Sequence, residues 1–110
     1  MKRLPLLFLL LTTTVQAAEF RFAQDSWTGS DKLDHALGGA VTMLAVSGLT
    51  HDADVSLKYS VLFWALWEIK DALVRWEDAG YWGGDGFSYK DLAWSTAGVL
   101  AVYTIIKVLT

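Results

Sequence analysis

Residues 88–109 read SYKDLAWSTAGVLAVYTIIKVL. From Leu92 to Leu109 the stretch carries a single charge, Lys107, close to its end. Its polar atoms belong to Ser95, Thr96, Tyr103 and Thr104, whose groups can hydrogen-bond within a helix. Ser88 and Asp91 open it in the manner of a capping box, with Asp in place of the usual Glu. A helix that is apolar all round belongs in a large core or in a lipid bilayer. A chain of 110 residues cannot build a large core. This stretch therefore predicts a helix over 88–109 and raises the question of a membrane.

Two further runs lack charge, Ala36–Thr50 and Tyr59–Trp67. The first predicts a helix over 31–49, capped by Ser30 or Asp31 and free of Pro. Its Ala36, Gly38, Gly39 and Ala40 are small enough for close helix contact in lipid. Thr50-His51-Asp52-Ala53-Asp54 is a polar break, and a second helix is expected over 55–79 with Gly80 as its stop. Gly83, Gly84 and Gly86 make Tyr81–Phe87 a loop. The fold class expected is all-α, with three antiparallel apolar helices.

Ahead of them, Lys2-Arg3, an apolar run over Leu4–Leu11 and Val15-Gln16-Ala17 have the layout of a secretory signal peptide. The expected organisation is a signal peptide over 1–17, an extended leader over 18–29 and a three-helix domain over 30–110. Export places the protein in the cell envelope, periplasmic or membrane-associated. Spanning and peripheral placements are both open. The apolar runs are near the minimum for a span, and Lys32, Lys70, Arg75 and Lys90 would fall on the outer side, against the positive-inside tendency. The expected partner is a membrane or another envelope protein.

Composition narrows the function. Residues are 54% hydrophobic and only 19% charged, which excludes a disordered chain. A net charge of −3 argues against nucleic acid. With no Cys there is no disulfide, thiolate metal site, cysteine nucleophile or lipidated cysteine. A phosphate loop ending in Lys-Ser/Thr, His-Glu-x-x-His and Gly-x-Ser-x-Gly are all missing.

Helix direction locates a candidate site. From His35 to Thr50 a helix rises about 22 Å, and from Val55 to Glu68 it returns about 20 Å. An antiparallel hairpin thus restores Glu68 to the level of His35, and the last helix starts at the same end with Asp91. Asp31 and His35 share a face at i,i+4. Glu68 and Asp71 do so at i,i+3, with Arg75 continuing the stripe. Trp27, Trp67, Trp76, Trp82 and Trp94 fall near this end, as expected at a membrane interface. Each member also has a plain explanation. Asp31 is a cap and His35 a hydrogen-bonded core histidine. Glu68 is half of an ion pair with Lys32, His35 or Arg75. Asp71 with Arg75 is a surface pair, and Asp91 completes the Ser88 cap.

Asp31-Lys32-x-x-His35 before a Gly/Ala-rich helix, Glu68-x-x-Asp71, and Gly86-Phe87-Ser88-x-Lys90-Asp91-Leu92 with Gly98 follow in order. Over about residues 26–100 this resembles the YfiM-like family of small bacterial envelope proteins of unknown function. A looser similarity is to VanZ-like membrane proteins, which place D-K-x-x-H, a mid-chain Glu and a later Asp around apolar helices. The resemblance implies an envelope protein and no established activity. Family members are often predicted lipoproteins, whereas this chain has no Cys to carry lipid.

Three functions fit the residues. The first is a non-catalytic envelope protein whose polar cluster fixes helix register. The second is a metal-dependent or acid–base enzyme on a lipid or envelope substrate. It would use His35, Glu68 and Asp91 as ligands or acid–base groups, Asp31 and Asp71 as supporting groups or additional metal ligands, and a divalent ion of the Mn, Fe or Zn kind. The third is a module that binds a lipid headgroup or an ion, with Lys32, Lys70 and Lys90 toward anionic headgroups.

Overall fold

The computed structural model describes residues 20–110, so the expected signal peptide and the first residues of the leader lie outside the described residues. Those described are all-helical, with no strand. Helix α1 spans Ser30–Thr50, α2 Ala53–Leu73, α3 Trp76–Ala79 and α4 Tyr89–Leu109, with a 3-10 turn at Gly80–Trp82 between the last two. The chain forms two compact units where the sequence suggested one domain. One holds residues 24–68 and 88–110, the other residues 20–23 and 69–87.

Local chemistry sets the helix ends of the larger unit. Gly29, with φ 146, is the N-cap of α1, and no side chain caps it. The expected capping by Ser30 or Asp31 is therefore corrected, since both residues are already helical. His51 closes α1 in the left-handed conformation, its N–H donating to Ser47 O at 2.9 Å. Asp52 starts α2 by accepting from Val55 N at 3.0 Å, and a Thr50–Ser56 hydroxyl bond of 2.5 Å ties the turn. Ser88 caps α4 by accepting from Asp91 N at 3.0 Å.

Small residues bring α1 and α4 together. A Cβ built on Gly39 would stand 2.0 Å from Ser95 O, and one on Gly98 would stand 1.9 Å from Ala36 O. The backbones meet where neither helix has a side chain to hold them apart. Between α1 and α2 the spacer is large. Trp64 lies over Gly38 and donates through Nε1 to Thr42 Oγ1 at 3.2 Å. Ser60 lies against Met43 further along.

What is buried is mostly polar. Among the described residues Ser56, Ser60 and Ser95 are fully enclosed, Lys32 and Glu68 are 1% exposed and Ser88 2%, beside the buried apolar Met43, Ala72 and Val99. Leu37, Val41, Leu44, Leu62, Phe63, Leu66, Ile105 and Val108 all face outward. By length and composition Tyr89–Leu109 can cross a membrane, and only 22% of its most apolar window is buried.

In the smaller unit, the helix expected to continue to residue 79 stops at Leu73 and restarts at Trp76. The reason is a competing backbone pairing. Gly84 N donates to Val74 O at 2.9 Å, Trp76 N faces Gly84 O at 3.4 Å, and Arg75 is extended. Glycines permit this approach, since a Cβ on Gly83 would sit 2.3 Å from Arg75 O. The leader's Arg21 bonds Ala72 O, Gly84 O and Phe87 N, and the rings of Phe20, Phe22 and Phe87 cluster.

Candidate functional site

The centre of the larger unit's polar cluster is an ammonium group. Lys32 Nζ donates to Asp25 Oδ2 at 2.5 Å, Asp91 Oδ1 at 2.6 Å and Asp31 Oδ2 at 2.8 Å. It follows on from Gly39 and Met43 on the buried face of α1, so its charge is enclosed. The three acids come from the leader, from α1 and from the first turn of α4. A buried ammonium needs such a cage, because leaving it unpaired costs several kcal/mol. Asp25, Asp31 and Asp91 also have the spacing of a cation site. The lysine already fills it.

Ser88 joins the cage to α2. Its N–H donates to Glu68 Oε1 at 3.0 Å and its hydroxyl to Asp25 Oδ2 at 2.6 Å. Lys90 Nζ donates to Asp25 O at 2.5 Å. Burial pushes the Asp25 carboxyl up, but hydrogen bonds from Lys32 and Ser88, reinforced by the Lys32 charge, outweigh it. They hold Asp25 below its ordinary 3.8.

A carboxyl with a depressed folded-state pKa contributes stability that is complete above the unfolded value and lost as pH falls through the folded one. The melting temperature of the wild type is expected to drop below about pH 4. Asp25→Asn should start lower and lose less over the same interval. Parallel curves for the two proteins in a thermal-melt titration would contradict this role.

Beside the cage lies a second cluster. His35, Glu68 and Asp91 each offer one ligand-type atom, and these atoms lie within 4.8 Å of one another. One residue comes from each of α1, α2 and α4. His35 Nε2 is 3.3 Å from Asp91 Oδ2, and its Nδ1 is 3.2 Å from Ser95 Oγ. The imidazole also meets the Trp64 ring edge to face at 5.7 Å between centroids. A surface cavity of about 250 Å³, lined by Asp34, His35, Trp64 and Trp67, opens beside it.

Of the sequence candidates, His35, Glu68 and Asp91 thus meet in this cluster, and Asp31 lies in the adjoining cage. Asp71 belongs to the smaller unit, where it pairs with Lys70 at 2.5 Å, and Arg75 is exposed at the start of α3. Asp91 does more than complete a cap: its N–H is capped by Ser88 while its carboxylate serves Lys32 and His35. Lys32 is enclosed rather than turned to headgroups, and Lys70 donates to Trp82 O. Among the tryptophans, Trp94 Nε1 donates to Trp27 O at 2.8 Å, and Trp27 packs on Tyr89.

Sequence reasoning missed Asp25 and the central place of Lys32. Asp25 sits in irregular backbone and carries no periodic signal. Lys32 does carry one, since 32, 36, 39 and 43 form a single helical stripe.

No protein-family model, curated protein or solved structure matches the chain.

Proposed function

We propose that this chain is a helical membrane protein of the bacterial cell envelope, in which α1, α2 and α4 run up, down and up. On this reading the Lys32 cage fixes their register and has no catalytic role. The observation that carries it is the inverted distribution of side chains. Serines, a lysine and a glutamate are buried, while large apolar side chains of all three long helices, Leu37, Val41, Leu62, Phe63, Ile105 and Val108 among them, are exposed. Exposed apolar patches on soluble monomers rarely exceed a few hundred Å². In a bilayer this arrangement is the ordinary one, because lipid solvates the apolar faces and the bundle interior shelters polar groups. The close glycine contacts of α1 and α4 support the same reading. So does the similarity of Asp31-Lys32-x-x-His35, Glu68-x-x-Asp71 and the Gly86–Leu92 segment to YfiM-like envelope proteins.

A structural role for the cage follows from its connections. The ammonium of α1 holds an acid of the leader and an acid of α4, and Ser88 of α4 binds both Asp25 and Glu68 of α2. Sliding any of the three helices by one turn, about 5.4 Å, would pull the enclosed Lys32 or Glu68 away from its partners.

The test is extraction of membranes from cells expressing the full chain. Alkaline carbonate is expected to leave the protein in the pellet and detergent to release it with its helical content intact. Release by carbonate as a folded, monodisperse protein would overturn the membrane reading.

A further inference from the structure

We infer that His35, Glu68 and Asp91 form a binding site for one divalent first-row transition ion of the zinc or manganese class, adjoining the Lys32 cage and sharing Asp91 with it. The inference rests on helix geometry and not on placement in a membrane.

A charge-assisted bond between imidazolium and carboxylate runs to about 2.7–2.9 Å. His35 Nε2 and Asp91 Oδ2 stand 3.3 Å apart, long for that bond. Two ligands held about 2.0–2.2 Å from a tetrahedral ion are separated by about 3.3–3.6 Å. The pair therefore has the spacing of a coordination edge, and Glu68 supplies a third ligand atom within the same 4.8 Å.

Each ligand's remaining atom is already held. His35 has Ser95 Oγ at Nδ1, which leaves Nε2 for a metal when Nδ1 carries the proton. Glu68 Oε1 accepts from Ser88 N, and Asp91 Oδ1 accepts from Lys32. Outer partners of this kind fix the tautomer of a ligating histidine and the orientation of ligating carboxylates.

Charge and access agree. The side chains bonded into the network include four carboxylates (Asp25, Asp31, Glu68 and Asp91) against the ammonium groups of Lys32 and Lys90. With a neutral imidazole, two negative charges remain, and a divalent ion balances them. One imidazole with two carboxylates suits ions of intermediate softness. Three protein ligands leave a coordination position for water, and the cavity beside His35 gives the ion a way in.

The chain's two histidines make the test direct in the wild type. His51 lies at the far end of α1, about 24 Å away at ~1.5 Å per residue, and is exposed. Full-length protein without a histidine tag, labelled with ¹⁵N-histidine and solubilised in detergent, is titrated with Zn²⁺. The Nε2 resonance of His35 is expected to move to a metal-bound position and saturate at one equivalent, with His51 unmoved. His51→Asn assigns the signals. Glu68→Gln is expected to weaken saturation about 10–100-fold, comparable to the loss of a metal-orienting group, while Asp31→Asn, which touches only the cage, leaves it within about threefold. No movement of His35, or His35 and His51 moving together only at excess Zn²⁺, overturns the site. Should Glu68→Gln fold poorly, the wild-type result decides alone.

Discussion

Lys32→Met is expected to destabilise the helical unit by about 3–5 kcal/mol, the cost of removing one partner from a buried charge network. The lysine is 1% exposed and holds three carboxylates within 2.8 Å. Methionine matches the length of the stem but leaves Asp25 and Asp91 facing each other without the cation, their side chains 24% and 16% exposed. Asp31 behaves differently. Its side chain is 60% exposed, so water replaces the lysine, and Asp31→Asn should cost no more than about 1 kcal/mol. Adding Asp25→Asn and Asp91→Asn to Lys32→Met should recover most of the loss, because the stranded charges go with their partner. Unfolding of detergent-solubilised protein, followed by circular dichroism, separates these cases. A Lys32→Met protein within about 1 kcal/mol of wild type would remove the cage from any account of the fold.

The contrast between Lys32 and Asp31 shows what the sequence reveals and what it conceals. Both stand in the first turn of α1, and hydropathy ranks them alike. The ends of α1 and α4 were legible within a residue or two because local chemistry sets them. The 50–54 break yields a left-handed His51, and Ser88 caps three residues on. The meeting of His35, Glu68 and Asp91 was legible because helical rise is a constant and the break between α1 and α2 is short. The interruption at Val74 and Arg75 was not, since it depends on Gly84 pairing from ten residues downstream. Nor was Asp25, which reaches Lys32 and Ser88 from irregular backbone.

The deeper difficulty is that the apolar residues mark the outside. The buried stripe of α1 runs through Lys32, Gly39 and Met43, that of α4 through Ser88, Ser95, Gly98 and Val99, and that of α2 through Ser56, Ser60 and Glu68. Each keeps helical spacing, yet most of its members are polar or small. A search for an apolar stripe finds the opposite face. The useful signal is the periodicity of serine, glycine and the lone charges.

That signal leads to the second large effect, at Gly98. A Cβ there would stand 1.9 Å from Ala36 O and 3.0 Å from Ala40 N, both main-chain atoms that no rotamer change can move aside. Gly98→Ala should therefore force α1 and α4 apart and cost about 1–3 kcal/mol as an overpacked core, despite the roughly 1 kcal/mol that alanine gains over glycine within a helix. Gly39→Ala meets Ser95 O at 2.0 Å and should behave alike. Gly48→Ala reverses the sign. It lies in α1 with nothing within 4 Å of its added Cβ, so helix propensity acts alone and stability should rise by up to about 1 kcal/mol. Separation of the helices at Gly98 should also carry Ser95 away from His35 Nδ1, so the His35 ring signals should shift in Gly98→Ala while those of His51 stay in place. Equal melting temperatures for Gly98→Ala and Gly48→Ala would mean that α1 and α4 do not touch through their backbones. The register that brings Asp91 to Lys32 and His35 would then have lost its support.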